Sequence, residues 1–298
     1  MNPVTAIWIN WLFTSTFPLC TAFAVRSFHP VVLAWATASL GFVYFLPGMR
    51  KAGGIGGFFA PGLRGPLFMM GFFGSAMPIV LISTAMQYTT PANAAILAQI
   101  EVVYSLLLSR IFLKEKITGI KLIGAGLVLS GTLLIAFKDR FSPRWQGDLL
   151  VLATPWMYQL SHVYAKKLPA ELKPGFIAAA RGFYAGAALL PWVVVLAFTH
   201  RASFTLPPFA ALATVLGMGL VLNGFNMEMW YKAIRGMELS HATVIILSYP
   251  VMTFILSALL GVEAIHLYQA CGLACAMLGA YVATVAAAPA EAVAHAAS

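Results

Sequence analysis

Charge is scarce in this chain. Asp, Glu, Lys and Arg together make up 9% of its 298 residues, against 61% hydrophobic residues and a mean hydropathy of +0.87. So few charges cannot clothe that much apolar surface in water, which excludes a soluble globule and leaves lipid as the solvent. Acids are scarcer still, nine against eighteen Lys and Arg, for a net charge of +9. The basic residues are spread through short connections and gather on no face, so no nucleic-acid partner is expected. Cysteine is nearly absent. Cys20, Cys271 and Cys275 make no disulfide framework, and the last two lie one helical turn apart in an apolar run, as small packing residues do. No second His or Cys stands at ligand spacing from His162, so no metal site is expected.

What the chain does have is apolar runs. A membrane-spanning helix needs roughly 20 mostly apolar residues, and the charges and Pro/Gly clusters divide the sequence into ten such pieces. The expected spans are Val4 to Ala24, Pro30 to Leu46, Pro66 to Ala85, Pro91 to Leu113, Gly119 to Phe137, Leu149 to Ala165, Pro174 to Phe198, Phe209 to Tyr231, Ser240 to Leu260 and Leu267 to Ala287. Pro30, Pro66, Pro91, Pro174 and Pro208 sit at or beside starts, where the missing amide hydrogen costs nothing. Ala22-Phe23-Ala24 follows an apolar run as a signal-peptidase site would. Met1 to Val4 carries no basic residue, however, so a retained first span is expected. Gly53-Gly54, Gly56-Gly57 and Pro61 mark the longest interior loop, and residues 288–298 read as a disordered Ala-rich tail.

The chain also repeats itself. Moved by 148 positions without a gap, Ala85 falls on Ala233, Ala94 on Ala242, Ser109 on Ser257, Glu115 on Glu263, Gly124 on Gly272 and Gly131 on Gly279. Between these matches the charges trade places. Arg110, Lys114, Lys116 and Lys121 become Ala258, Val262, Ala264 and Gln269, while Thr84 and Gln87 become Lys232 and Arg235. Connections after spans 2, 4, 6 and 8 hold twelve of the eighteen Lys and Arg, and the opposite connections five, with Arg181 inside a span. Basic connections stay cytoplasmic, so both termini are expected there. Five spans per copy is an odd number, so the second copy enters the membrane upside down. The expected fold is all-α and integral to the membrane, with ten transmembrane helices as two inverted five-helix repeats: 1–143 and 144–287.

Inverted repeats are a recurring design of secondary transporters, with a site between the halves near the midplane. The pattern resembles the drug/metabolite transporter superfamily, specifically its ten-span EamA-type members. The resemblance covers nearly the whole chain and is strongest in Ala85 to Gly131 and Ala233 to Gly279, with an Ala-rich start, a mid-helix Glu-Pro pair, a Leu-Gly-Glu exit and paired glycines. This chain splits the Glu-Pro pair: Glu101-Val102 keeps the acid, and Tyr249-Pro250 keeps the proline. Its exits are Leu113-Lys114-Glu115 and Gly261-Val262-Glu263. The resemblance implies transport of a small metabolite or drug, commonly export.

Glu101 lies about eleven residues into span 4, ~16 Å along it, and so near the midplane. An acid there must face a wet cavity, find a partner or be protonated. It either meets a substrate amine or carries a coupling proton, or it is a protonated group bonded to a neighbouring helix. Asn93, Leu97, Glu101, Tyr104 and Leu108 share one helical face, which sets Tyr104 on the same wall. Arg181 lies about 12 Å into span 7. It binds a substrate carboxylate or, the simpler reading, forms a buried pair with Glu228 or Glu101. Glu228 stands one turn before Lys232, so an i to i+4 pair accounts for it.

Asn223, Asn226 and Trp230 follow helical spacing, and the two amides either line a cavity or lock helices together. Thr154, Tyr158 and His162 share a face of span 6; the histidine either titrates during transport or packs. Trp8, Trp11, Trp156 and Tyr249 offer rings to a flat or cationic solute, with Trp8 equally an interfacial anchor. Gly124, Gly126 and Gly131, echoed by Gly272 and Gly279, lie within apolar helices without a preceding strand. They read as close-packing residues, not as a phosphate or dinucleotide loop, so no cofactor is expected.

The expectation is a secondary transporter of the bacterial cytoplasmic (inner) membrane, exporting a small amphipathic solute such as an amino acid by alternating access. Its partners are that solute and the lipid bilayer, and a monomer is favoured. Substrate contacts are expected from Glu101, Tyr104, Trp11, Trp156, Tyr158, Asn223, Asn226 and Tyr249. Proton coupling or charge pairing falls to Glu101, His162, Arg181 and Glu228. An intramembrane enzyme and a non-transporting receptor or scaffold are the alternatives. The enzyme is disfavoured because no serine-histidine or paired-aspartate arrangement stands at span depth, Asp139 and Asp148 falling in a connection.

Overall fold

Helix starts in this chain are set by short polar side chains followed by proline. Asn2 accepts from the Val4 amide at 3.0 Å and opens α1 (Pro3–Ala24); Thr90 accepts from the Asn93 amide at 3.3 Å and opens α4 (Pro91–Phe112). In each case a side-chain oxygen satisfies an amide that the first turn leaves bare, and the proline beside it has no hydrogen to satisfy. The computed structural model describes residues 2–49, 54–113, 118–139, 144–169, 171–199, 207–236, 245–246, 248–262, 264 and 266–284. Among them there is no strand.

The remaining helices are α2 (Pro30–Met49), α3 (Arg64–Ala85), α5 (Gly119–Asp139), α6 (Trp145–Leu152), α7 (Pro155–Lys166), α8 (Pro174–Phe198), α9 (Phe209–Ile234), α10 (Tyr249–Leu259) and α11 (Leu267–Thr284). Five of the eleven helices among the described residues, α2, α3, α4, α8 and α9, are long and apolar enough to cross a membrane; Gly119–Gly131, Tyr249–Leu259 and Leu267–Val282 are shorter apolar stretches. Glu115, Glu263, Gly53, the expected start of span 9 at Ser240 and the tail 288–298 lie outside the described residues.

Where regular helices were expected, several rods are locally rewound. The sixth begins at Trp145 and breaks at Ala153 and Thr154, because Pro155 restarts the helix without an amide to give. Asp148, expected in a connection, is buried in the first turn of α6 and accepts the Thr89 hydroxyl at 2.5 Å. α4 tightens to a 3-10 turn over Ala98–Ile100 and widens to a π-turn at Ser109–Leu113; α3 and α9 carry π-turns at Phe72–Ala76 and Met218–Phe225.

In lipid the apolar effect does not drive helices together, so close approach of small residues must. α2 lies against α8, where a Cβ added to Gly182 would sit 3.0 Å from the Ala38 carbonyl oxygen. α5 lies along α11 with a reciprocal contact. A Cβ at Gly131 would come within 2.5 Å of the Gly272 carbonyl oxygen, and one at Gly279 within 2.6 Å of the Gly124 carbonyl oxygen. The far side of this pair is bare apolar surface, with Leu122, Ile123, Leu267 and Leu278 all exposed, as a lipid-facing wall should be. α1 crosses the C-terminal part of α9 and the start of α10, and α4 meets α7. These crossings leave a gap in the middle of the bundle.

Candidate functional site

The gap is a cavity of about 180 Å³. α1 contributes Asn10, Thr14 and Phe17; α3 contributes Gly74, Ile79 and Ile82; α4 contributes Ala98 and Glu101. The wall is closed by Thr154 with Pro155, Tyr158 and His162 of α7, by Arg181 of α8, by Leu222, Asn223, Asn226, Met227 and Trp230 of α9, and by Ile246 and Tyr249. No described residue of α2, α5 or α11 lines it. Most of this lining is apolar, with the polar groups held at fixed points, the usual composition of a small-molecule pocket.

Those polar groups are tied to one another. Gln159 donates through Nε2 to Glu101 Oε1 at 2.6 Å, joining α7 to α4. Asn10 donates through Nδ2 to the carbonyl oxygen and to Oδ1 of Asn226, both at 3.0 Å, and Asn226 Nδ2 donates to Thr14 Oγ1 at 3.1 Å. α1 and α9 are therefore stitched at one level by three bonds. Asn223 Nδ2 donates to the carbonyl of Met218 at 3.1 Å. The buried Arg181 donates through Nε to Ser75 Oγ at 2.7 Å, through Nη2 to the Gly74 carbonyl oxygen and through Nη1 to Met227 Sδ at 3.2 Å. The His162 ring rests on Trp230 with centroids 5.4 Å apart. Tyr158 lies within electrostatic reach of both Glu101 and Arg181, and Tyr249 of Glu101 and Tyr158. An acid, a guanidinium, an imidazole, two phenols and three amides thus share one small space.

Of the residues expected at the site, the cavity gathers Glu101, Tyr158, His162, Arg181, Asn223, Asn226 and Tyr249. Three others stand off its lining. Tyr104 turns its hydroxyl to the Leu152 carbonyl at 3.4 Å, Trp11 donates to Ser248 Oγ at 2.9 Å, and Trp156 packs on Phe73 at 5.7 Å. Glu228 pairs with Lys232 at 2.8 Å, away from the cavity. Arg181, for which a carboxylate partner was the simpler expectation, takes a carbonyl, a hydroxyl and a thioether instead. Sequence reading passed over Asn10, Thr14 and Gln159, since single amides and hydroxyls in apolar helices carry no spacing signal. Both side chains are partly covered, and an i to i+4 pair along a helix contributes only about 0.3–0.5 kcal/mol. Glu228→Gln is accordingly expected to shift the melting temperature by no more than a degree or two and to leave solute flux within about twofold, measured on purified and on reconstituted protein.

Apolar helices closed around a partly polar cavity define a multi-pass membrane protein. The chain belongs to the EamA-like transporter family, which it matches over residues 2–137 and again over 145–285. Members of this family, part of the drug/metabolite transporter superfamily, are named as transporters and not as enzymes. An uncharacterized transporter of Archaeoglobus fulgidus is 22% identical over 216 residues, 72% of this chain and 76% of that one. A probable terminal-alkyne amino-acid exporter of Streptantibioticus cattleyicolor is 25% identical over 179 residues, 60% of this chain and 59% of its own length. The match therefore spans less than two thirds of that exporter. A solved crystal structure shares the fold, with a TM-score of 0.69 over 95% of this chain and 97% of that one at 18% identity.

Proposed function

We propose that this protein is a secondary transporter that exports a small amphipathic solute, an amino acid or a close relative, across the bacterial cytoplasmic membrane by alternating access. The observation that carries the reading is the cavity, whose polar groups come from helices on both sides of residue 144. A site shared between two halves changes its exposure when one half rocks on the other, which is how inverted-repeat carriers work. Ten spans, in inverted halves 1–143 and 144–287 with both termini cytoplasmic, accord with the exchange of basic residues between the copies. The reciprocal Gly131 and Gly279 contacts, which the shift of 148 interconverts, support the same symmetry. The amino-acid assignment draws on the exporter of Streptantibioticus cattleyicolor and on the gathering of an acid, two phenols and three amides around one small, mostly apolar cavity. The lipid bilayer and the solute are its partners, and it acts as a monomer without cofactor or metal.

Proteoliposomes containing only this protein and a panel of the twenty tritiated L-amino acids test the reading. Saturable counterflow of at least one is expected. Binding without counterflow would make the protein a receptor, and cleavage of a lipid or peptide without counterflow would make it an enzyme; either sinks the proposal.

A further inference from the structure

The π-turns of α3 and α9 occupy equivalent places in the two halves. Moved by 148 positions, Phe72–Ala76 falls within Met218–Phe225, and Met70-Gly71 coincides with Met218-Gly219. Single π-turns inside α-helical rods are uncommon and concentrate at functional sites. Both of these border the cavity, one through Gly74 and the other through Leu222 and Asn223.

Each has a carbonyl taken by a side chain. Pro78 has no amide hydrogen to give four residues back, so the Gly74 carbonyl is left for another donor, and Arg181 Nη2 supplies it. Arg181 Nε holds the adjacent Ser75 hydroxyl. In α9 the Met218 carbonyl receives the Asn223 side chain from five residues on. Each rod is also clamped to a neighbour at or just before its π-turn. A Cβ at Gly71 would sit 2.6 Å from Tyr184 Cβ on α8, and one at Gly219 2.3 Å from Leu40 Cβ on α2. Clamped on one side of a widened turn, a rod has that turn as its place to bend. Arg181 ties the two rods together here, because its Nη2 and Nε bonds fall within the π-turn of α3 and its Nη1 donates to Met227, two residues past the π-turn of α9.

We infer that the two π-turns are paired hinges, and that Arg181 is the positioning residue that latches both in the present conformation, with Asn223 a second latch on α9, rather than a ligand of the transported solute. The inference rests on the transporter reading for its consequence, the release of the latch as access alternates, but its geometry stands without it. One guanidinium tied to both rods, at one π-turn and just past the other, makes the two hinges move together, as a carrier that never opens both ways at once requires.

Hydrogen exchange read by mass spectrometry on the full-length protein in nanodiscs tests the latch without any solute. Arg181→Gln is expected to speed amide exchange by at least about tenfold in 72–80 and in 226–230, with the α5–α11 pair unchanged. Pro78→Ala returns an amide to the Gly74 carbonyl, so adding it to Arg181→Gln should restore protection in 72–80. In counterflow of the tritiated amino acids, Arg181→Gln lowers the maximal rate and leaves half-saturation unchanged. Unchanged exchange in both segments overturns the latch. So does a raised half-saturation that Pro78→Ala does not rescue, because that is the behaviour of a solute ligand. Should Arg181→Gln fail to fold, Ser75→Ala and Asn223→Ala, each removing one bond, must show the same acceleration locally. Exchange as expected with no counterflow by the wild type keeps the hinges and rejects the transporter reading.

Discussion

Glu101→Gln is expected to abolish solute flux driven by a pH gradient, by more than about a hundredfold or ~2.7 kcal/mol in barrier, while counterflow without a gradient stays within a few-fold. The substitution is nearly isosteric and keeps an oxygen in place for the Gln159 amide, which now donates to Glu101 Oε1 at 2.6 Å. What it removes is the capacity to gain and lose a proton. Glu101 is the acid on the cavity wall, which it shares with the two phenols of Tyr158 and Tyr249. An intramembrane carboxyl with access to a wet cavity is a natural proton carrier. Proteoliposomes with an imposed pH step, compared with counterflow at equal pH, separate coupling from binding. Equal loss in both assays would reject the coupling role and leave Glu101 as a binding or packing group.

Gly131→Val and Gly279→Val are expected to be the most damaging substitutions outside the cavity. The atoms a new side chain would meet at 2.5 to 2.8 Å include the Gly272 carbonyl oxygen, the Ala276 amide nitrogen, the Gly124 carbonyl oxygen and the Val128 amide nitrogen. These belong to backbone and cannot turn aside as a side chain can, so the whole of α5 must part from α11. Overpacking costs about 1–3 kcal/mol, and valine at a helix–helix contact should reach the upper end; the double variant should exceed it. Gly126 is the control, since a Cβ there meets nothing within 4 Å. Gly126→Ala should stabilise by up to about 1 kcal/mol through helix propensity. Thermal unfolding followed by size-exclusion chromatography reads all four. A Gly131→Val protein that melts with the wild type would show that α5 and α11 do not approach as described.

How far these sites were legible differs residue by residue. Helical spacing grouped Asn223 with Asn226 and Tyr158 with His162, and all four line the cavity. The same spacing put Tyr104 beside Glu101, yet Tyr104 turns to Leu152. Periodicity tells which residues share a face; which flank of that face meets a gap depends on neighbouring helices. A 3-10 turn just before Glu101 also shifts the phase of everything after it. Pro78 carried a readable signal, an unsatisfied carbonyl at Gly74, but nothing local says that the donor comes from residue 181.

By itself the sequence determined the solvent, the helical class, the repeat and the presence of an acid and an arginine inside apolar runs. These follow from composition and period, which any chain in lipid must obey because every backbone amide has to be paired within its own helix. Only the tertiary structure decided who partners whom: Gln159 with Glu101, Asn10 with Asn226, and Arg181 with the π-turn of α3 and with Met227 of α9 rather than with a carboxylate. Such pairings depend on crossing geometry between helices far apart in the chain, and a one-dimensional pattern carries no record of that geometry.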